Sequence, residues 1–531
     1  MEFVRFGRCS TTVLSISKCM EIIKKNIHIL RKNVNTKIES HGSKIFLLCI
    51  VILLVLGTFL RFVNYSERWG LAYDQAYDAI VARYAYYNNK LPLLGRFSSG
   101  GPFQTGGEWY WLIMIGIAMY PDSIISPWVF ITSLYVLFIF LIISFGKELV
   151  DKKFALILGT LTVFSTAQIT QSTNLANQTP EAFFSLLSLW FSIRFLRSRN
   201  LKNLFLSALF VGICSSIHLQ GAPLVILLAV TIIISKKINI HTLAVCILGV
   251  LIPWIPVLYV DIQNNFFNTK NLVQYYLHDQ YKISLDVLGR RWLTYLGVFW
   301  IKSWSFITGG LFPFMYIFLP IGFIHLLQKI VKKKVSKEWA TIIITFILLV
   351  STLRYVRAPL FESYLVFLHP FVLLLTAAFI YSIYKINFPI ALTVLLVFII
   401  GGIHSSYFDI NKSTNKTIKQ VTKLQNGLIN SRVNEKYAVY DYKYSHSSIS
   451  LPVVLSLYTD NLIDDTGLRI GLIDSSRQSS MTYPVIVDDV DGISIIKLNE
   501  KKHSDLLKEG WVFTNPSYVY KETQEWYKNE N

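Results

Sequence analysis

The chain has 531 residues, of which 53% are hydrophobic and only 16% charged. Ordinary soluble domains carry about 25% charged residues, so a soluble globular protein is excluded and a polytopic membrane protein is expected. The net charge of +19 is unevenly placed: residues from 405 onward hold 15 Lys+Arg against 16 Asp+Glu, and residues 1–404 hold 36 against 16. A basic excess confined to the membrane part fits positively charged inner loops on anionic lipid and calls for no nucleic-acid partner.

Residues 1–44 carry nine Lys/Arg and three Glu. Ile23, Ile27, Leu30 and Val34 share one helical stripe beside Lys24, Lys25, Arg31 and Lys32, which suits either a helix lying on the inner face or a disordered basic tail. A mixed stretch of this length before the first apolar run, with no small-residue cleavage pattern behind it, does not read as a signal peptide. Ile45–Phe62 is the first expected span. The stretch Trp69–Tyr120 that follows is too polar to cross. It opens with Asp74 and Asp78, spaced i,i+4 on a helix running to about Tyr87, so both carboxylates share one face. A turn-rich link, Arg96–Pro102, leads to Glu108 and the apolar run Trp109–Tyr120. That run would be about 18 Å long as a helix, against a hydrocarbon core of about 30 Å, so it is expected to lie in the interface.

Alternating basic clusters set the remaining spans. Ile124–Phe145 returns to Lys147, Lys152 and Lys153. Phe154–Gln171 goes out to the turn 173–181, and Ala182–Leu196 returns to Arg197, Arg199 and Lys202. Leu204–Ile217 goes out to the turn 218–223, and Leu224–Ser235 returns to Lys236 and Lys237. Leu243–Val260 goes out to a second large external loop, 261–304, carrying Arg290, Arg291 and Lys302. Phe306–Leu327 returns to the basic run 329–338, Trp339–Leu353 goes out to Arg354 and Arg357, Tyr364–Tyr384 returns, and Ile390–Ile403 goes out.

The expectation is therefore an α-helical polytopic protein with about eleven spans. A cytoplasmic segment 1–44 precedes a membrane domain 45–404, whose external loops are 63–123 and 261–304. An extracytoplasmic α/β domain, 405–531, follows, with strands at Tyr437–Tyr440, Pro484–Val487 and Ile493–Ile496. The five cysteines, Cys9, Cys19, Cys49, Cys214 and Cys246, lie before residue 405 and form no C-x-x-C pair, so neither a disulfide framework nor a thiolate metal site is suggested. No metal and no cofactor is expected. Gly-rich nucleotide loops and H-E-x-x-H are absent from the sequence, which argues against a soluble nucleotide-sugar or ATP site.

The candidate site residues each have a plainer reading. Asp74, in a first helical turn, is either a cap favoured by the dipole or a catalytic carboxylate, and the spacing leaves both open. Asp78, one turn on, leans to a structural role, partnering Arg83 or a backbone group. Glu108 is a helix cap or a site acid. His218 and Gln220, at an outer turn, fit a buried hydrogen-bonded pair or a substrate contact. Arg290, Arg291, Arg354 and Arg357 stand outside against the positive-inside trend; they are solvated or snorkelling groups, or a phosphate-binding set suited to bidentate contact. His325 and His369, inside spans, read as packing groups.

A first span ending in Arg61-Phe62, then D-x-A-x-x-D-A-I-V-A-R from residue 74, then L-P-L-L-G and S-S-x-G-P-F and an aromatic in-plane segment, resembles the multispan glycosyltransferases of the GT-C fold. The resemblance is to the bacterial branch related to protein O-mannosyltransferases and to the lipid A aminoarabinose transferase. TNLANQTPEAFFSLLSLW and HLQGAPLVILL are similar to two later segments of that family, and the tail from 405 has no counterpart. The resemblance implies transfer of a sugar from a polyprenyl-phosphate carrier, at the outer face, to a glycan, lipid or protein acceptor, with inversion. It places the family's first-loop acid on Asp74. Many members have Asp-Glu there, and this chain has Asp74-Gln75. An acceptor hydroxyl needs a base and a departing phosphate needs cations, roles for which Asp74 and the four arginines are the candidates. Two rivals are a lipid-glycan flippase and a non-catalytic glycan-binding membrane subunit. A flippase would be expected to show charges inside spans and a repeated half, and neither is evident in the sequence.

Overall fold

The computed structural model describes residues 42–98, 101–282, 292–332, 334–355, 362–411, 416–431, 436–442, 449–478, 483–498 and 501–526. Among the described residues, six helices are long and apolar enough to cross a membrane: Gly42–Phe62, Ser126–Leu149, Ile240–Gln263, Phe312–Val331, Tyr364–Ile386 and Phe388–Tyr407. Between them run shorter apolar helices, among them Glu108–Met119, Leu201–Ile217 and Leu219–Ser235. At about 1.5 Å per residue Glu108–Met119 would be about 18 Å long and the other two about 25 Å each, against a hydrocarbon core of about 30 Å.

Two expected spans are redrawn. The run 154–171 is broken into Lys152–Val163 and Thr166–Gln171. Ser165 is the extended residue between them: its hydroxyl accepts from Gln168 N at 3.1 Å, capping the second helix, and donates to Ile307 O at 2.5 Å. A serine that satisfies a free helical N–H makes such a break stable. The run expected to start at Phe306 is also split. Trp300–Thr308 ends at Gly309, which has φ +76°, and the long helix begins at Phe312. A Cβ on Gly309 would lie 2.6 Å from the carbonyl oxygen of Phe164, and one on Gly402 only 2.0 Å from it. Both glycines thus let two backbones close around the carbonyl at the first break.

Two buried arginines fix where the chain leaves the first helix. The Arg61 guanidinium donates to the carbonyls of Gly57 (3.1 Å), Thr162 (3.2 Å) and Val163 (3.5 Å). Arg68 donates to Leu60, Arg61 and Val63, and to Ile169 across the loop. Each caps a helix end with a cation, which the dipole favours.

The carboxyl-terminal part contains a five-stranded mixed sheet in the order Val485–Val490, Ile493–Lys497, Leu468–Asp474, Tyr437–Tyr442, Trp511–Phe513. Three strands match the sequence expectation; Leu468–Asp474, paired in parallel with Tyr437–Tyr442, and Trp511–Phe513 were not foreseen. The last helix, Pro516–Gln524, does not stay with the sheet alone. It packs on the helix Tyr73–Tyr87 of the first loop, with the rings of Tyr84 and Tyr520 5.1 Å apart.

Candidate active site

The first loop is built as a helix, a hairpin and a second helix: Tyr73–Tyr87, the antiparallel strands Leu94–Ser98 and Gly101–Gly106, and Glu108–Met119. Ala72 is extended before the first helix, and its N–H donates to Gln75 Oε1 at 3.0 Å. Gln75 Nε2 in turn donates to Asn174 Oδ1 at 2.6 Å, and Asn174 reaches Gln171. Gln75 therefore caps the helix and stitches it to the turn 173–181. A glutamate at that position could accept from Ala72 but could not donate to Asn174.

With the cap supplied by Gln75, the Asp74 carboxylate faces outward. Its side chain is 71% exposed, and its Oδ1 accepts from Arg96 at 2.5 Å. Arg96 stands on the first hairpin strand, 31% exposed, with its guanidinium carbon 5.1 Å from the centre of the Tyr77 ring. The strands approach closely at this point: a Cβ on Gly95 would meet the Gly106 carbonyl at 2.6 Å.

Asp78 lies beneath this pair and is buried. Trp109 Nε1 donates to it at 2.9 Å and the Tyr110 hydroxyl at 3.4 Å. Burial pushes its carboxyl up to about 6, against the pull of the Arg96 charge and the two donors. For Arg96, burial is outweighed by the Asp78 and Asp74 carboxylates, which hold the guanidinium above its ordinary range. The expected Asp78–Arg83 pairing is not what forms. Arg83 donates to the carbonyls of Pro121 (2.5 Å) and Ser123 (2.9 Å), tying down the far end of the loop.

Glu108 is the first residue of its helix and is buried. The Ser216 hydroxyl donates to its Oε2 at 2.6 Å, and burial raises its carboxyl. Gly106 seals it, since a Cβ there would lie 2.1 Å from Oε2. His218 and Gln220 do not pair with each other. His218 Nδ1 lies 3.6 Å from Oε1 of the fully buried Glu181, and its ring is 5.7 Å from that of Tyr364. Gln220 Oε1 has no hydrogen-bond partner among the described residues. Arg290, Arg291 and Arg357 lie outside the described residues. The Arg354 guanidinium sits over Trp292 and Tyr355, 5.6 and 5.9 Å from their ring centres. Among the described residues no group of three His, Cys, Asp or Glu side chains gathers as a metal set.

The ion-pair partner of Asp74 is thus Arg96, which sequence reasoning had placed in a turn-rich link. One signal was available: Arg96 is the single charged residue between Lys90 and Glu108. The arrangement offers an exposed carboxylate that can take a proton and a partly buried guanidinium that can take an anion, 2.5 Å apart.

No family model and no curated protein sequence matches the chain. Among solved structures it is similar to ArnT from Cupriavidus metallidurans in the apo state. The TM-score is 0.61 at 10% identity, over 86% of this chain and 98% of that one. ArnT bound to undecaprenyl phosphate gives the same score over 84% and 97%. The apo oligosaccharyltransferase of Archaeoglobus fulgidus gives 0.52 at 12% identity over 82% and 70%. The chain has the GT-C fold, with membrane-spanning helices and a small carboxyl-terminal sheet region.

Proposed function

We propose that the protein is a glycosyltransferase that takes a sugar from a polyprenyl-phosphate carrier and passes it, with inversion, to an acceptor hydroxyl at the outer face of the membrane. In this reading the amino end is inside, and the first loop, the loop 261–304 and the residues after 405 are outside. The observation that carries it is the exposed Asp74–Arg96 pair on a GT-C scaffold. One solved structure of similar fold holds undecaprenyl phosphate, which supports a carrier of that chemical class.

The chemistry follows from the pair. The phosphate of the carrier competes with Asp74 for Arg96, and a guanidinium serves phosphate well because its fork matches two oxygens. Asp74, released, accepts the proton of the acceptor hydroxyl. The hydroxyl oxygen bonds to the anomeric carbon as the bond from that carbon to the phosphate oxygen breaks, and the phosphate leaves with the electron pair. Arg96 stabilises the charge that develops there. Arg354 and the arginines of the two later loops are further candidates for the same phosphate. Sugar transfer from a synthetic polyprenyl-phosphate sugar by the purified protein tests the reading. A labelled sugar on a water-soluble acceptor supports it; carrier hydrolysis or transfer at background rates across the common envelope sugars counts against it.

A further inference from the structure

The helix Pro516–Gln524 reaches both halves of the structure that meet at the Asp74–Arg96 pair. Gln524 is buried, and its Oε1 accepts from the backbone N–H of Leu93 at 2.9 Å and of Leu94 at 3.0 Å. Its Nε2 donates to the Leu94 carbonyl at 2.6 Å. One side chain thereby satisfies three backbone groups at the start of the strand that carries Arg96 two residues later. Thr523 is fully buried beside it. The Thr523 carbonyl accepts from Gln104 Nε2 at 2.8 Å, on the opposite strand, where Gln104 pairs with Phe97. The Thr523 hydroxyl lies 2.6 Å from the hydroxyl of Tyr77, the residue whose ring supports the Arg96 guanidinium. The indole N–H of Trp526 donates to Gln104 Oε1, and its ring is 5.0 Å from Phe97 and 4.7 Å from Phe267.

We infer that Gln524 and Thr523 are positioning residues that hold Arg96 and Tyr77 in register with Asp74. Packing alone would be served by apolar side chains at these buried positions, which avoid the cost of burying polar groups. What the glutamine adds is directional: it pins the strand at Leu93 and Leu94, while Thr523 pins Tyr77 and Gln104. At Arg96 itself the hairpin meets the helix through the ion pair to Asp74 and the stacking on Tyr77, and an ion pair with one largely exposed partner is worth little on its own. The carboxyl-terminal segment is therefore a working part of the first-loop site, although some 430 residues separate the two in sequence.

The inference rests on the proposed function for its kinetic arm and on geometry for its structural arm, so the two fail separately. Hydrogen exchange of the amides of residues 93–97 is measured in the wild type and in Gln524→Leu, which keeps volume and removes all three bonds. Exchange there is expected to rise about tenfold, as for the loss of one or two hydrogen bonds; unchanged exchange overturns the inference whatever the protein does with sugars. In the transfer assay Gln524→Leu is expected to lower kcat about tenfold with the acceptor KM little changed. Gln524→Glu, which keeps the acceptor oxygen for Leu93 and Leu94, should recover part of that loss. In an Arg96→Gln background the same substitution is expected to cost nothing further, because the residue being positioned is gone. An undiminished second loss would mean that Gln524 acts elsewhere, and would overturn the inference. Should Gln524→Leu not fold, Thr523→Val removes the link to Tyr77 and, within its own helix, the bond to the Val519 carbonyl, and is read the same way: lower kcat, with no further loss beside Arg96→Gln, supports the inference, and an unchanged kcat overturns it.

Discussion

Two of the places where a carboxylate meets a nitrogen cation, or a potential one, are built oppositely. In the first loop, Asp74 and Arg96 touch at 2.5 Å with side chains 71% and 31% exposed. Under the turn 218–223, Glu181 is fully buried and His218 Nδ1 stands 3.6 Å away, beyond hydrogen-bond length. Neither Glu181 oxygen has a hydrogen-bond partner among the described residues. A group that must meet two substrates, one on a lipid and one from outside, has to be reachable and has to be able to exchange partners. The first pair meets both conditions. The second is sealed: a Cβ on Gly221 would come within 3.0 Å of Glu181 Oε1, so the turn backbone closes over the acid. Accessibility, more than residue type, separates the two as sites of chemistry.

The comparison breaks most easily at Arg96. Arg96→Gln is expected to lower kcat for sugar transfer by roughly 10²-fold or more, the scale seen when one preorganised donor to a developing charge is lost. A loss of less than about threefold in a steady-state assay would remove Arg96 from the phosphate's path and leave the ion pair a surface ornament of the kind that contributes little.

Asp78 sharpens the contrast within a single helix. Its folded-state carboxyl sits at about 6, against an ordinary value near 4, because it is buried. The folded protein therefore binds the proton more tightly than the unfolded chain. The resulting destabilisation is absent below about pH 4, grows as pH rises toward 6 and then stays constant, at an order of 3 kcal/mol. Asp78→Asn keeps an acceptor for Trp109 and removes the charge. Its melting temperature should exceed that of the wild type at pH 7, and the decline of stability between pH 4 and 6 should flatten. Thermal unfolding in detergent across that range checks both, and a steeper decline in the variant would contradict them. Transfer should fall no more than a few-fold.

The smallest effect belongs to Glu181. Glu181→Gln removes a charge from a sealed site, so transfer should stay within about twofold, far from the 10²–10⁴-fold expected of a general base. Stability should rise slightly, as expected when a buried carboxylate that accepts no hydrogen bond becomes neutral. A loss of transfer comparable to that of Arg96→Gln would make the second site the reactive one and invert the comparison.

Much of this was legible in sequence where the signal is local. The i,i+4 spacing of Asp74 and Asp78 and the twelve-residue run after Glu108 pointed to the candidate site, and the resemblance of the first loop pointed to the fold. What could not be read depends on pairing across distance. Arg96 finds Asp74 through a hairpin whose register shifts between Leu94 and Phe97 and again before Ser98, and no periodicity encodes that. Asp78 chose Trp109 and Tyr110 over the nearer Arg83 because the second helix folds back over the first. The chain breaks at Ser165 and Gly309 sit inside runs whose hydropathy is continuous, so composition reads straight through them. Gln75, which looked like the loss of an acid, is instead a cap and a donor, a difference visible only once Asn174 is beside it.

The central claim, that Asp74 takes the acceptor's proton while Arg96 receives the phosphate, is tested most directly by single-turnover transfer in Asp74→Asn with carrier-lipid binding measured on the same protein. Asparagine keeps the shape, and the helix cap belongs to Gln75, so folding and binding of the polyprenyl-phosphate sugar should stay within about threefold of wild type. The transfer step itself should slow by about 10²–10⁴-fold. Transfer at near wild-type rate with binding intact would contradict the account and return Asp74 to a structural role.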